Sequence, residues 1–417
     1  MQYAIESARK LRDRLGAIEI ASQHLGAERR DCACFVRRSH QRRYAKLAGQ
    51  TRQGARGNVP AADNEQTFHK QILLRAHMSH QVSIRNSGHR FQAEEGQTIL
   101  QAATAAGLAL PYSCRDGACG SCKGKLIEGR LDYGPYSEKA LTHEEKASGY
   151  ALFCQAKPLG DVVIEAREVR KAGDIRVRIL PARVQRIDRP VEDVAVVQLK
   201  LPASERLQFL PGQYLDILLK DGARRSFSMA NTPDDEFVEL HIRQVSGGVF
   251  TDHVFHRMKE RDILRFEAPL GTFYLREESA KPIVFVASGT GFAPIKSIIE
   301  SSLQRGVARP MTLYWGGRRP ADLYRNDLPL KWAKDNAGFA YVPVISDALP
   351  EDSWTGRSGL VHRAVMEDFP DLSGYQVYAC GVPLMVNAAR SDFIANCRLP
   401  EEEFFCDSFT TAADKAS

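Results

Sequence analysis

No run of 18 or more apolar residues occurs in this chain, so no segment is expected to span a membrane as a helix. The first residues also lack the apolar stretch and small-residue cleavage site of a secretory signal. No short internal repeat and no low-complexity tract interrupts the sequence. An evenly paired disulfide framework is missing too. The nine cysteines are odd in number and clustered, within a chain of 417 residues. That usage suits metal or redox chemistry in a reducing cytoplasm.

What is present is enough apolar residue, 43%, for real cores, and a length that suits about three domains. The net charge of +6 is unevenly spread. Residues 1–77 hold 15 Lys and Arg against 7 Asp and Glu, and the remaining 340 residues sum to −2. A basic arm could meet nucleic acid or an acidic surface, but it shows little periodicity and no aromatic interleaving, so no nucleic-acid partner is expected. Its Arg-rich, acid-poor composition also suits an organellar transit peptide. A third reading starts the working protein at Met78, just before an alternating strand. Residues 1–77 are therefore set aside as a basic extension, poorly ordered or not native.

From Met78 onward three styles of sequence follow one another. In residues 78–170, "QVSIR" (81–85), "GKLIEG" (124–129) and "DVVIEA" (161–166) read as strands, and Thr98 caps a helix over 98–107 that Gly107 closes. This is a small α+β unit. A linker at 169–174 leads to residues 174–277, where closely spaced strands predict an antiparallel barrel. In residues 278–417, strands over 283–287, 311–317, 339–346 and 375–381 alternate with helices, which predicts a parallel sheet covered on both faces.

The sharpest signal is "YSCRDGACGSC" at 112–122. Cys114, Cys119 and Cys122 are spaced x4 and x2, and Cys154 follows 31 residues later. That is the plant-type [2Fe–2S] ligand spacing. Zinc, the alternative, more often uses two C-x2-C knuckles, and only one is present. The loop resembles that of plant-type ferredoxins over roughly residues 80–168. The resemblance implies a β-grasp fold with Cys114, Cys119, Cys122 and Cys154 as cluster ligands.

Two further stretches suit nucleotides. "RSFS" (225–228) offers a cation, Arg225, for a flavin pyrophosphate, a flat ring, Phe227, and a hydroxyl, Ser228, for flavin N5. Phe227 points opposite Ser226 and Ser228 in a strand. Taken alone, such a strand is more often plain sheet. "SGGVFT" (246–251) opens a helix whose N-terminus could take phosphate, with Gly248, Val249 and Thr251 as candidates. "GTGFAP" (289–294) follows a strand and opens another helix, so Gly289, Thr290, Gly291 and Pro294 could cradle a second pyrophosphate.

In order and spacing, residues 175–410 resemble the ferredoxin–NADP reductase superfamily. The resemblance implies FAD in the barrel, with FMN the alternative, and a nicotinamide coenzyme in the last domain. The family's flavin motif is Arg-x-Tyr-Ser, so Phe227 is a departure that keeps ring stacking and loses a hydroxyl. "ACGVP" (379–383) resembles the family's Cys-Gly-x-Pro stretch, which implies that Cys380 and Gly381 lie near the nicotinamide. A small buried thiol at a strand end is the plainer reading of Cys380. In relatives the C-terminal aromatics return toward the flavin, and here Phe409 is the candidate, while Phe404 and Phe405 could be core. Arg318 and Arg319 favour NADPH. NADP-using relatives carry Ser-Arg after the third strand, where this chain has Ser346-Asp347, so NADH is expected ahead of NADPH.

The cofactors implied are a [2Fe–2S] cluster, FAD and NADH. Together they imply a reductase that takes a hydride from NADH to flavin N5 and passes single electrons through the cluster to a partner enzyme. The domain order resembles two reductase groups. One is the CDP-6-deoxy-Δ3,4-glucoseen reductases, which serve a pyridoxamine-phosphate dehydrase, and the chain as a whole is more similar to these. The other serves bacterial oxygenases. A redox sensor without turnover is the reading from a different class.

Overall fold

The computed structural model describes residues 79–166, 170–171 and 175–410. The expectations for residues 1–77 lie outside the described residues. Among the described residues no helix is long and apolar enough to cross a membrane.

The first core forms around a five-stranded mixed sheet in the order Arg90–Glu94, Ser79–Ile84, Val162–Glu165, Lys123–Glu128 and Tyr150–Leu152. Alternation drives it, because Val82, Ile84, Phe91 and Ala93 turn inward while their neighbours face out. The helix Ile99–Ala105 packs its Ile99, Leu100, Ala102 and Ala103 on this core. Thr98 and Gln101 form a reciprocal capping box, with bonds of 3.0 and 3.2 Å, an arrangement stabilising by about 1 kcal/mol. The next two helix amides, of Ile99 and Leu100, donate to the carbonyls of Ala156 and Phe153 at 2.9 Å. The helix start thereby holds the turn that carries Cys154.

The second core fills an antiparallel barrel of six strands in the order Arg224–Ser228, Tyr214–Leu218, Ile263–Leu270, Arg178–Val191, Val194–Lys200 and Val238–Arg243. It closes where Met229 bridges to Leu240 and the Ala230 amide reaches the Glu239 carbonyl at 2.8 Å. Arg178–Val191 is 14 residues long and carries two register shifts against Val194–Lys200. Bulges of this kind bend a strand so that it can follow the barrel wall. The strand starts at Arg178, three residues after the first residue of the expected "IRVRIL". Part of the expected linker is also ordered, since Arg170–Lys171 pairs with Leu108–Ala109.

The last domain is an all-parallel sheet in the order Arg357–Ser358, Phe339–Ile345, Met311–Gly317, Ile283–Ser288, Gln376–Gly381 and Phe404–Ser408. Its central strands are buried on both faces, as a helix-covered parallel sheet requires. The strand order reverses between Ile283–Ser288 and Gln376–Gly381. In open α/β sheets that crevice, at the carboxyl ends of the strands, is where ligands bind.

Candidate functional site

All four loop cysteines are free, and Cys119, Cys122 and Cys154 are buried while Cys114 is partly exposed. They fall into two neighbouring pairs, Cys114 with Cys119 and Cys122 with Cys154, each close enough to shift its partner's acidity. Among the described residues no group of three or more His, Cys, Asp or Glu is arranged around a single ion. Four thiols in two neighbouring pairs are a donor set that fits two bridged irons, two sulfurs to each. Pairing also splits the acidities, since a hydrogen bond from Cys114 lowers the Cys119 thiol to about 6, whereas the same pairing and burial raise Cys114. Gly117 makes the wrap possible. Its φ is +80°, and a Cβ there would lie 2.8 Å from the Pro135 carbonyl oxygen.

The start of this loop is fastened to the barrel. Tyr112 and Thr272 exchange bonds of 2.9 and 3.0 Å, and the Gly271 amide donates to the Tyr112 hydroxyl at 3.1 Å. The Tyr214 hydroxyl donates to the Ser113 carbonyl at 2.7 Å. Arg115, itself in a left-handed conformation at φ 61°, places its guanidinium on the Asp216 carboxylate. Asp216 is buried in the strand Tyr214–Leu218 and accepts a 2.6 Å bond from Ser226. Ser226 belongs to the expected flavin strand, so one carboxylate joins it to the cysteine loop.

On that flavin strand Arg225 is exposed, and its one side-chain bond is to the carbonyl of Arg224 at 2.8 Å. Phe227 is half-buried, with its ring 5.4 Å from that of Phe250. The Ser228 hydroxyl is buried and has no hydrogen-bond partner. A buried orphan hydroxyl is costly unless a bound group satisfies it. Gly248 caps the helix Val249–His256 and leaves Val249 61% exposed at its open end. The Thr251 hydroxyl turns back on the loop, 3.0 Å from the Gly248 carbonyl and accepting from the Val245 amide at 3.2 Å. These residues fit a flavin, with a free cation, a partly exposed ring and an unsatisfied hydroxyl on one strand.

At the crevice of the parallel sheet, Gly289–Gly291 makes a turn of 3-10 helix that leads into Phe292–Gln304, with Pro294 in its first turn. A Cβ on Gly291 would stand 2.1 Å from the Cys380 carbonyl oxygen, so turn and strand end meet backbone to backbone. Trp315 stacks on Phe292 at 3.9 Å and donates to the Gly289 carbonyl at 3.1 Å, which props the turn from behind. Cys380 is fully buried, and burial pushes its thiol up. Gly381 follows with φ +142°. Its carbonyl accepts from the amide of Phe409 at 2.8 Å, which holds the C-terminal stretch against the crevice. Phe409 is half-buried there, whereas Phe404 is core and Phe405 stacks on Tyr378 at 4.8 Å.

Four residues important to this geometry escaped the sequence reading. Asp407 pairs in register with Cys380, accepts the Ser113 hydroxyl, and is raised by burial to about 6. Ser408 beside it has a buried hydroxyl without a partner. Asp216 is the third. A carboxylate in the apolar run "YLDIL" was the available signal for it, as "FFCDS" was for Asp407. Arg243 ends a barrel strand beside Gly289, with Asp193 at 2.9 Å and Asp322 at 3.2 Å on one nitrogen and its other two side-chain nitrogens buried without partners. Nothing local in "HIRQ" marks it.

Comparison with known proteins agrees with this division. Residues 82–159 match a 2Fe-2S iron-sulfur cluster binding domain, 181–274 an oxidoreductase FAD-binding domain, and 285–391 an oxidoreductase NAD-binding domain. The chain is 41% identical over 333 residues to the CDP-6-deoxy-L-threo-D-glycero-4-hexulose-3-dehydrase reductase of Yersinia pseudotuberculosis, covering 80% of this chain and 99% of the relative. It is 36% identical over 337 residues to a terephthalate 1,2-dioxygenase reductase component of Comamonas, covering 80% and 98%. Among solved structures, the Amycolatopsis cytochrome P450 reductase GcoB superposes with a TM-score of 0.65 at 37% identity, over 80% of this chain and 99% of that one. The chain belongs to the family of electron-transferring reductases that join a [2Fe–2S] ferredoxin domain to FAD- and NAD-binding oxidoreductase domains.

Proposed function

We propose that this chain draws electrons from NADH and delivers them singly, through FAD and a [2Fe–2S] cluster, to a partner enzyme in the cytoplasm. The observation that carries the reading is the meeting of three elements. The cysteine loop bonds through Ser113 to Asp407, the register partner of Cys380, and through Arg115 to Asp216, which holds the flavin strand. When bound, flavin accepts a hydride and the cluster carries one electron at a time.

The chain's own residues then bind and orient. Gly289, Thr290 and Gly291, with the helix start at Phe292 and Pro294, take the coenzyme pyrophosphate, and Arg243 reaches the same turn. Cys380 and Gly381 shape the floor of the nicotinamide pocket and Phe409 its edge. Arg225 binds the flavin pyrophosphate with the helix start at Gly248 and Val249, while Thr251 fixes that turn. Phe227 would offer its ring face to the flavin and the Ser228 hydroxyl would supply a hydrogen-bond partner for it. Cys114, Cys119, Cys122 and Cys154 hold the irons in two pairs. The domain limits that go with this assignment are 78–170, 174–277 and 278–417.

The acceptor we favour is a pyridoxamine-phosphate dehydrase of deoxysugar synthesis, a reading supported by the 41% identity to a CDP-6-deoxy-hexulose-3-dehydrase reductase. An oxygenase is the second reading, supported by the Comamonas and Amycolatopsis likenesses. The first test is anaerobic titration of the purified protein with NADH, followed by absorbance and electron paramagnetic resonance. Flavin bleaching with growth of a reduced [2Fe–2S] signal is expected. Bleaching without that signal would remove the cluster from the electron path. No response to NADH or NADPH would leave the sensor reading.

A further inference from the structure

We infer that the part-buried Arg115–Asp216 ion pair is a positioning device that locks the cysteine loop onto the flavin strand and sets the distance over which an electron passes between them. The inference rests on the proposed electron path and adds to it the residues that hold its two ends together.

Several features set this pair apart from an ordinary surface bridge. Arg115 directly follows the ligand Cys114, so anchoring its guanidinium restrains the backbone next to that ligand. Its left-handed φ of 61° is a conformation that non-glycine residues seldom adopt without a compensating contact. The Asp216 side chain is only 2% exposed, yet its strand neighbours Leu215 and Ile217 are core. A lone carboxylate there would be strongly disfavoured. It is accommodated because one oxygen receives Arg115 and the other the Ser226 hydroxyl at 2.6 Å. Arg224 stands 3.7 Å away and is itself engaged by Glu267. Asp216 therefore joins two elements, its Oδ2 facing Arg115 of the cysteine loop and, at 3.7 Å, Arg224, and its Oδ1 accepting from Ser226 on the strand that carries Arg225, Phe227 and Ser228. The bonds of Tyr112, Ser113, Thr272 and Tyr214 clamp the same four-residue run from its other side. Together with the ion pair these bonds restrain residues 112–115 against the barrel.

Two variants separate positioning from simple electrostatics. Asp216→Asn keeps the Arg115 charge beside the cluster and breaks the ion pair. Arg115→Gln removes the charge and leaves the Asp216–Ser226 bond. In rapid mixing of the holoprotein with NADH, flavin reduction is expected to keep its rate in both. The following flavin-to-cluster step is expected to slow by about tenfold or more in both. Amide hydrogen exchange at residues 112–118 is expected to rise about tenfold, the scale of one lost charge-assisted bond. The two variants change the net charge beside the cluster in opposite senses, so the cluster potential is expected to rise in Asp216→Asn and to fall in Arg115→Gln while the transfer step slows in both.

An unchanged transfer step and unchanged exchange in both variants would overturn the inference while leaving the electron path intact. A slowed step in Arg115→Gln alone, following its lowered potential, would overturn it in favour of a purely electrostatic role. Absence of any cluster reduction in the wild-type protein would overturn the path and the inference together. Visible cluster absorption and flavin content report whether each variant is folded.

Discussion

Asp347 shows how much a single carboxylate can decide. It is exposed just beyond the strand Phe339–Ile345, its backbone held by the Arg318 carbonyl at 2.9 Å. Arg319 is already engaged, by Asp352 through bonds of 2.5 and 2.8 Å and by Glu351 at 3.5 Å. Of the two arginines that favoured NADPH in the sequence, one is thus neutralised within the fold. On the proposed coenzyme placement the 2′-phosphate of NADPH would meet the Asp347 carboxylate, with the exposed Arg318 the one of the two arginines left to offset it. Asp347→Arg is therefore expected to raise the ratio of kcat/KM for NADPH to that for NADH by about 10-fold or more, the scale of one charge-assisted bond. Steady-state kinetics with both coenzymes checks this, and an unchanged ratio would remove Asp347 as the discriminator. Residues of this kind divide sharply in how legible they were. The four cysteines announce themselves because cluster chemistry fixes residue type and spacing together. Asp216, Asp407 and Ser408 do not, because their importance comes from what the fold brings beside them.

At the scale of elements, the glycine turn is where local sequence and tertiary contact agree most closely. Gly291 ends the 3-10 turn with its α-carbon against the carbonyl of Cys380, and a methyl group there would meet the oxygen at 2.1 Å. The neighbour is backbone of a fully buried strand and cannot rotate away. Gly291→Ala must push the helix Phe292–Gln304 from the strand Gln376–Gly381. A loss of about 1–3 kcal/mol is expected from such overpacking, together with a raised KM for NADH and unchanged flavin content. Urea unfolding and a KM measurement would test it, and an unchanged KM would show that the turn does not shape the coenzyme site. Elements with strong local signals were readable in advance. The helix capped by Thr98 and the strands ending in Gly317 and Gly381 are examples. Elements set by pairing were not. Phe404–Ser408 becomes an edge strand because Gln376–Gly381 offers it a partner, and its sequence alone reads equally well as an apolar tail. The bulged course of Arg178–Val191 is likewise a product of barrel closure.

Across the whole described molecule, the barrel and the parallel sheet meet through a buried polar junction that makes stability depend on pH. His241 on the barrel strand Val238–Arg243 is fully buried. Its Nδ1 lies 2.7 Å from the Tyr324 hydroxyl and its Nε2 3.0 Å from Glu239. A neutral ring protonated on Nε2 satisfies both, with Tyr324 donating to Nδ1. Lys296, on the helix Phe292–Gln304, stands 3.3 Å from Glu239 and 2.7 Å from Glu300, and also donates to the Ala230 carbonyl at 3.0 Å. Arg325 adds a further positive charge facing the ring. Burial is the main cause that lowers the His241 pKa, while Glu239 opposes it, and Lys296 and Arg325 reinforce it. The unfolded chain therefore takes up a proton near pH 6.5 that the folded chain refuses, so stability falls as the pH drops below that point. By pH 5.5 the loss from this group reaches at most about 1.4 kcal/mol. Glu239, held well below the usual carboxylate range by His241 and Lys296, contributes its own loss only at lower pH, nearer 4. Asp407 and the Cys119 thiol, both near 6, also titrate between pH 8 and 5.5, so the histidine's share is read from the difference between the wild type and a His241 variant. His241→Gln is expected to be less stable than the wild type at pH 8, because Gln cannot serve Tyr324 and Glu239 equally. Its Tm should nevertheless fall less between pH 8 and 5.5. Thermal unfolding of both proteins across that range gives the difference in slope. Parallel curves would mean that the junction titrates elsewhere, and a steeper fall in the variant would reverse the sign assigned to His241.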